Sequence, residues 1–127
     1  MNKKVSFDFD NTLSYPLVQQ YAKSLINKGY EVFVLTARYN EMKKSFYVPN
    51  PTNEDLFKIT EKIGIKERNI IFTNMEDKYH YLKDTDVIFH LDDCWQTNKL
   101  INEKTKVKAI DVMQPKWRDQ CNELLGI

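Results

Sequence analysis

Glycine and proline are scarce, three and four in a chain of 127 residues, and neither is gathered into a tract. Together with the absence of any internal repeat, this rules out a fibrous or low-complexity polymer. No apolar run approaches the roughly 20 residues of a membrane span, and the first residues lack the apolar core of a signal peptide. No membrane association is expected. Cysteine is almost absent too: Cys94 and Cys121 lie far apart and fit no metal-ligand spacing. Without an export signal they are expected as reduced thiols in a cytoplasmic setting, the host cytoplasm if the source is viral. No sign of charge dominates, since the net charge is +1. Bulk attraction to nucleic acid or to an anionic membrane is therefore excluded, although a local basic face is not.

What is present is the pattern of a single domain spanning residues 1–127. Short β-rich runs alternate with helical patterns. Lys4 to Phe9 reads as the first strand. The segment YPLVQQYAKSLINKGY places Leu17, Tyr21, Leu25 and Ile26 at helical spacing, with Gly29 as a stop. EVFVLTA is a second, almost wholly apolar strand, as expected where helices cover both faces of a sheet. TNEDLFKITEKIG reads as a helix capped by Thr52, with Leu56, Ile59 and Ile63 as its apolar stripe. NIIFT, VIFHLD and VKAIDV are the remaining strands. They are separated by helices over MEDKYHYLK and WQTNKLINEK and followed by PKWRDQCNELLG, with Pro115 in its first turn. Five alternations predict an α/β protein: a three-layer, Rossmann-like fold with a five-stranded, mainly parallel sheet.

In such sheets ligands bind at the C-terminal ends of the strands. Strand one ends in Asp8 and Asp10, strand two in Thr36 and Arg38, and strand four in Asp92 and Asp93; strand three leads to Lys78. Strand five offers only Asp111. Residues two apart in an extended strand point the same way, so Asp8 and Asp10 are expected to repel unless they share a proton or a cation. Several carboxylates without a histidine or cysteine ligand make a hard oxygen site suited to Mg²⁺, with Asp8, Asp10, Asp92 and Asp93 as candidate ligands. A nearby lysine and hydroxyl would hold the remaining oxygens of a phosphate. That constellation suits phosphoryl transfer, with Asp8 attacking phosphorus and Asp10 serving the leaving oxygen and then the attacking water.

DFDNT (8–12) resembles the D-x-D-x-T motif of the haloacid dehalogenase-like phosphohydrolase superfamily. VLTAR (34–38) resembles its second motif, Lys78 its third-motif lysine, and FHLDD (89–93) its acidic fourth motif. The resemblance implies Asp8 as nucleophile and Mg²⁺ ligand, and Asp10 as general acid and base, ligating the metal through its backbone carbonyl. It implies Thr36 and Lys78 on the phosphoryl group, and Asp92, supported by Asp93, in the metal shell. Lys83 is a rival for Lys78. The short connections leave no room for a cap domain, so the resemblance implies an open site with a large substrate, or a lid supplied by a partner subunit. Within the superfamily the chain is most similar to the phosphatase half of bacteriophage polynucleotide kinase-phosphatases. There too an arginine follows the second motif, which makes Arg38 a candidate substrate contact. Small viral 5′-nucleotidases are also similar.

The implied partner is a phosphorylated substrate, either an RNA or DNA end (a 3′-phosphate) or a nucleotide. Phosphatases of small metabolites or phosphoproteins, and a phosphate-binding module without activity, are the alternatives. The stretch RYNEMKKSFYVP (38–49) interleaves basic and aromatic residues and could grip a polynucleotide, or be an ordinary solvated loop with Phe46 or Tyr47 tucked beneath it. The lysines of KTKVK (104–108) are expected to be solvated. His90 is expected in the core or behind the site, Cys94 as a buried inert thiol, and Trp95 and Trp117 as packing anchors.

Overall fold

A computed structural model describes residues 2–40 and 52–127. Five strands, β1 (Lys4–Phe7), β2 (Glu31–Thr36), β3 (Ile70–Phe72), β4 (Phe89–Asp92) and β5 (Lys108–Asp111), form one sheet in the order β3-β2-β1-β4-β5. Every pairing is parallel. The helices are α1 (Pro16–Asn27), α2 (Glu54–Ile63), α3 (Tyr79–Leu82), α4 (Trp95–Lys104) and α5 (Trp117–Leu125). The α/β reading of the sequence therefore holds, with a sheet that is parallel throughout. Among the described residues no helix is long and apolar enough to cross a membrane.

Strand alternation divides the side chains between two layers. Val5, Phe7, Val32, Val34, Phe89, Leu91 and Ile110 face one side, where Val18, Tyr21, Ala22 and Leu25 of α1, Leu56 and Ile63 of α2, and Cys121 and Leu125 of α5 close over them. The other face is covered by α3 and α4, and its apolar cluster is smaller: Leu35, Leu82, Ile101 and Val107. The reason lies in the two central strands. On this face β1 and β4 present Ser6, His90 and Asp92, all buried, in place of aliphatic residues. The chain crosses from β1 to β2 on one face and from β4 to β5 on the other. The strand order thus reverses between β1 and β4, and it is at such a reversal that a crevice opens beyond the strand ends.

Several expectations are corrected. The first strand ends at Phe7 rather than Phe9. A wide π-type turn over Phe9–Leu13 follows, closed by the Leu13 N–H donating to the Asp8 carbonyl at 3.1 Å. Asn11 takes the left-handed conformation in this turn (φ 59°), which asparagine tolerates better than most residues. In α1 the buried stripe runs through Val18, Tyr21, Ala22 and Leu25, and Leu17 is exposed. Thr52 does not cap α2, because Asn53 occupies that position; its side-chain amide donates to the Tyr39 carbonyl at 3.0 Å.

Trp95 is 65% exposed and is no packing anchor, and Cys94 is only half-buried. Trp117 does pack, edge-on to Tyr21 with ring centres 5.3 Å apart. Replacing Trp95 with Ser should change stability by no more than about 0.5 kcal/mol, whereas Trp117→Ala should cost about 2 kcal/mol or more. Chemical denaturation of both variants checks the contrast.

Candidate active site

At the β1/β4 reversal the polypeptide assembles a buried, charged cluster. Asp8 is the first residue beyond β1 and, by alternation, follows Ser6 onto the face covered by α3. Asp92 is the last residue of β4 and lies on the same face. Lys78, immediately before α3, inserts its ammonium between them: Nζ is 2.7 Å from Asp8 Oδ1 and 2.7 Å from Asp92 Oδ2. All three side chains are almost wholly removed from solvent. Lys83, one turn on, is exposed. Lys78 is therefore the lysine of the site, and Lys83→Ala is expected to leave both stability and turnover within error of wild type, the first within about 0.5 kcal/mol.

The remaining oxygens are also held. Thr12, the last residue of the D-x-D-x-T motif, donates its hydroxyl to Asp8 Oδ2 at 3.2 Å, and the Cys94 N–H donates to Asp92 Oδ1 at 3.1 Å. The Asn98 amide donates to the Asp92 carbonyl at 3.2 Å, and its own buried Oδ1 has no donor. His90 is fully buried, with Nε2 2.7 Å from Asp92 Oδ2 and Nδ1 2.9 Å from Ser6 Oγ. His90 thus sits directly behind the site, as the sequence suggested, whereas His80 is exposed.

Burial dominates the electrostatics. It pushes the Asp8 carboxyl up to about 8, against the pull of Lys78, with the neighbouring Asp92 charge adding to the rise. Burial also opposes the Lys78 ammonium, but the Asp8 and Asp92 charges outweigh it and hold the lysine above its ordinary value. Asp92 is likewise opposed by burial, yet the hydrogen bond from His90 and the charge of Lys78 keep it below the usual carboxylate range. Burial holds the His90 imidazole below its ordinary value, against the hydrogen bond and charge of Asp92.

One ammonium thus faces two buried carboxylates, with Asp93, half-buried, as a third. Single oxygens of Asp8, Asp92 and Asp93 lie within 4.8 Å of one another. The donor set is all oxygen, drawn from carboxyl groups alone. These residues fit a hard divalent cation such as Mg²⁺.

Asp10 takes a different course from the one expected. The π-type turn carries it away from Asp8, and its carboxylate meets Arg38 instead: Nη2 is 2.7 Å from Oδ1 and Nε is 3.0 Å from Oδ2. The same guanidinium donates to both oxygens of Asp55 in the first turn of α2, at 2.8 and 2.9 Å. It also lies over the Phe9 ring, 4.9 Å from its centre. The Arg38 hydrogen bonds hold Asp55 below the usual carboxylate range. Asp8 and Asp10 therefore share neither proton nor cation, because each has its own cationic partner. The carboxyl that does neighbour Asp8 is Asp93, with oxygens of the two within 4.8 Å of each other. The Asp10 side chain is not among the three clustered carboxylates.

Arg38, read from the sequence as a possible substrate contact, is committed to these two carboxylates. Thr36 is buried, and its hydroxyl accepts the Arg38 N–H at 3.3 Å; among the described residues no hydrogen bond joins it to Asp8, Lys78 or Asp92. Residues 41–49 of the basic and aromatic stretch lie outside the described residues. A cleft of about 450 Å³ lined by Phe57, Thr60, Glu61, Ile65, Glu67 and Ile70 contains neither a cation nor a nucleophile paired with one, and it does not compete as a site.

Comparison with known proteins adds no name to this geometry: no protein-family model matches the chain, and no curated protein matches it.

Proposed function

We propose that this protein is a Mg²⁺-dependent phosphomonoesterase of haloacid dehalogenase-like type that works through a phospho-aspartate on Asp8. The observation that supports this most is the Lys78 ammonium bridging Asp8 and Asp92 at 2.7 Å each, at the strand-order reversal of a parallel sheet. A carboxylate paired with a buried cation at the mouth of such a crevice is placed to attack phosphorus while the cation neutralises the phosphoryl oxygens.

In the proposed reaction an Asp8 oxygen bonds to phosphorus as the bond from phosphorus to the ester oxygen breaks. Asp10 supplies the proton that the departing oxygen takes up. Water then attacks the aspartyl-phosphate, Asp10 accepts its proton, and inorganic phosphate leaves with Asp8 restored. Arg38 must release an Asp10 oxygen for the carboxyl to reach the leaving group, so it controls when Asp10 engages. Thr12 and Lys78 hold the two Asp8 oxygens, which orients the nucleophile. Bound Mg²⁺, with Asp8, Asp92 and Asp93 as ligands and the Asp10 backbone carbonyl as the resemblance implies, would supply positive charge against the phosphoryl oxygens. Thr36 and Arg38 would touch substrate only after exchanging their present partners.

A phosphorylated RNA or DNA end, or a nucleotide, is the substrate class we favour, in keeping with the short connections of the fold. Phosphate release in Mg²⁺ is measured on 3′- and 5′-phosphorylated oligonucleotides, mononucleotides and an aryl phosphate. Clear preference for an oligonucleotide end supports the full reading. Equal, slow cleavage of all of them leaves the reaction standing and removes the polynucleotide. Phosphate-ligand binding without turnover would make the protein a binding module.

A further inference from the structure

Behind the carboxylate cluster lies a second set of groups that the proposed reaction leaves without a task. Ser6 of β1 and His90 of β4 are direct partners in the parallel register of the two central strands. Both are sealed from solvent, as is Asp92. An ionised Asp92 can only accept, so the proton shared with it must reside on His90 Nε2, 2.7 Å from Oδ2. On the other side of the ring the Ser6 hydroxyl lies 2.9 Å from Nδ1 and, able to donate or accept, satisfies that nitrogen in either state. Ser6 and Asp92 together hold the ring from both of its nitrogens.

This line occupies the centre of a sheet face that elsewhere is filled by Leu35, Leu82, Ile101 and Val107. Aliphatic residues at 6 and 90 would pack there without any polar group to satisfy. What the polar line adds is a second anchor on one oxygen. Asp92 Oδ2 takes both His90 and Lys78, which leaves Oδ1, held only by the Cys94 N–H, able to accept a further bond.

We propose that His90, its ring braced from behind by Ser6, is a positioning residue that holds the Asp92 carboxylate in the orientation in which it takes Mg²⁺ beside Lys78. Partners that orient a metal ligand from behind are worth roughly ten- to a hundredfold in metal affinity. His90→Leu removes the anchor, and Asp92 is then free to turn both oxygens toward Lys78. His90→Gln keeps an amide donor near the place of Nε2 and retains the anchor. The proposal rests on the phosphatase reading for the identity of the cation only.

The test has two arms. In the wild-type protein, nitrogen-15 NMR of the imidazoles reads the tautomer directly, with the exposed His80 as internal reference. A proton on His90 Nε2 is expected; an unprotonated Nε2, which could not anchor the carboxylate, overturns the proposal without any variant. Calorimetric titration with Mg²⁺ alone then compares wild type, His90→Leu and His90→Gln. Affinity roughly ten- to a hundredfold weaker in the leucine variant, and largely restored in the glutamine variant, is the expected result. Equal affinity in all three, or equal loss in both variants, overturns it. Turnover is scored separately. A wild type that binds Mg²⁺ in this His90-dependent way but cleaves no phosphate ester removes the phosphatase reading and leaves His90 its role. An active phosphatase whose Mg²⁺ affinity ignores His90 does the opposite.

Discussion

Asp8→Asn is expected to reduce turnover by at least about a thousandfold, because the amide cannot form the acyl-phosphate. The fold should survive the change. Asparagine matches aspartate in shape, can offer its oxygen to Lys78, and can donate its amide toward Thr12 or Asp93. Stability should even move in its favour as pH rises. In the unfolded chain Asp8 ionises near pH 4, whereas in the folded, metal-free protein burial holds it protonated up to about 8. Across that window the folded state binds the extra proton, so wild-type stability falls with increasing pH, and the asparagine variant lacks this loss. Thermal unfolding in chelator at about pH 5 and about pH 8 should show the variant gaining on wild type at the higher pH. The gain should shrink when Mg²⁺ is added, since a cation stabilises the ionised carboxylate that only the wild type has. Turnover that survives the substitution would place the nucleophile elsewhere.

Lys78→Met should be the most damaging single change in the site. It leaves Asp8 and Asp92 buried face to face without the ammonium that bridges them. Breaking a buried pair in this way costs about 3–5 kcal/mol, toward the lower end below about pH 8, where Asp8 already carries its proton. Activity should fall at least about a hundredfold, as expected when a group aimed at developing charge is removed. Mg²⁺ should raise the melting temperature of this variant more than that of wild type, because there it replaces the missing ammonium as well as filling its own place. Denaturant unfolding with and without Mg²⁺ measures both effects. A Lys78→Met protein as stable as wild type would mean that the ammonium is not held between the two carboxylates.

The strands, their order of appearance and the edge that carries the site were legible because each rests on a local signal. Alternation and apolar runs mark β1, β2 and β4, and Asp8, Lys78, Asp92 and Asp93 fall where those signals end. Asp10 was misplaced because alternation was carried two residues too far. The strand stops at Phe7, and a turn with Asn11 in a left-handed conformation re-aims everything after Asp8. Nothing local in DFDNT reports that turn. Arg38 found its partners across 28 and 17 residues of sequence, and Asp55 had no signal of its own beyond its place in the first turn of a helix. Trp95 was misjudged for another reason. Indole is apolar enough to expect burial, yet the residue opens α4, and its side chain is left exposed there. Ser6 could have been found, because it lies two residues before Asp8 on the same face of β1.

The Arg38 fork has one more consequence, for the order in which ligands arrive. Around the mouth of the crevice stand the carboxylates of Asp8, Asp10, Asp55, Asp92 and Asp93, and the cations facing them there are Lys78 and Arg38. Both cations are already engaged, so among the described residues an incoming phosphate dianion meets no positive charge to spare at this mouth. The described groups alone steer against it. If the proposed phosphatase reading holds, Mg²⁺ bound at the carboxylates would reverse the local sign before substrate arrives, and cation supply would gate capture as well as chemistry.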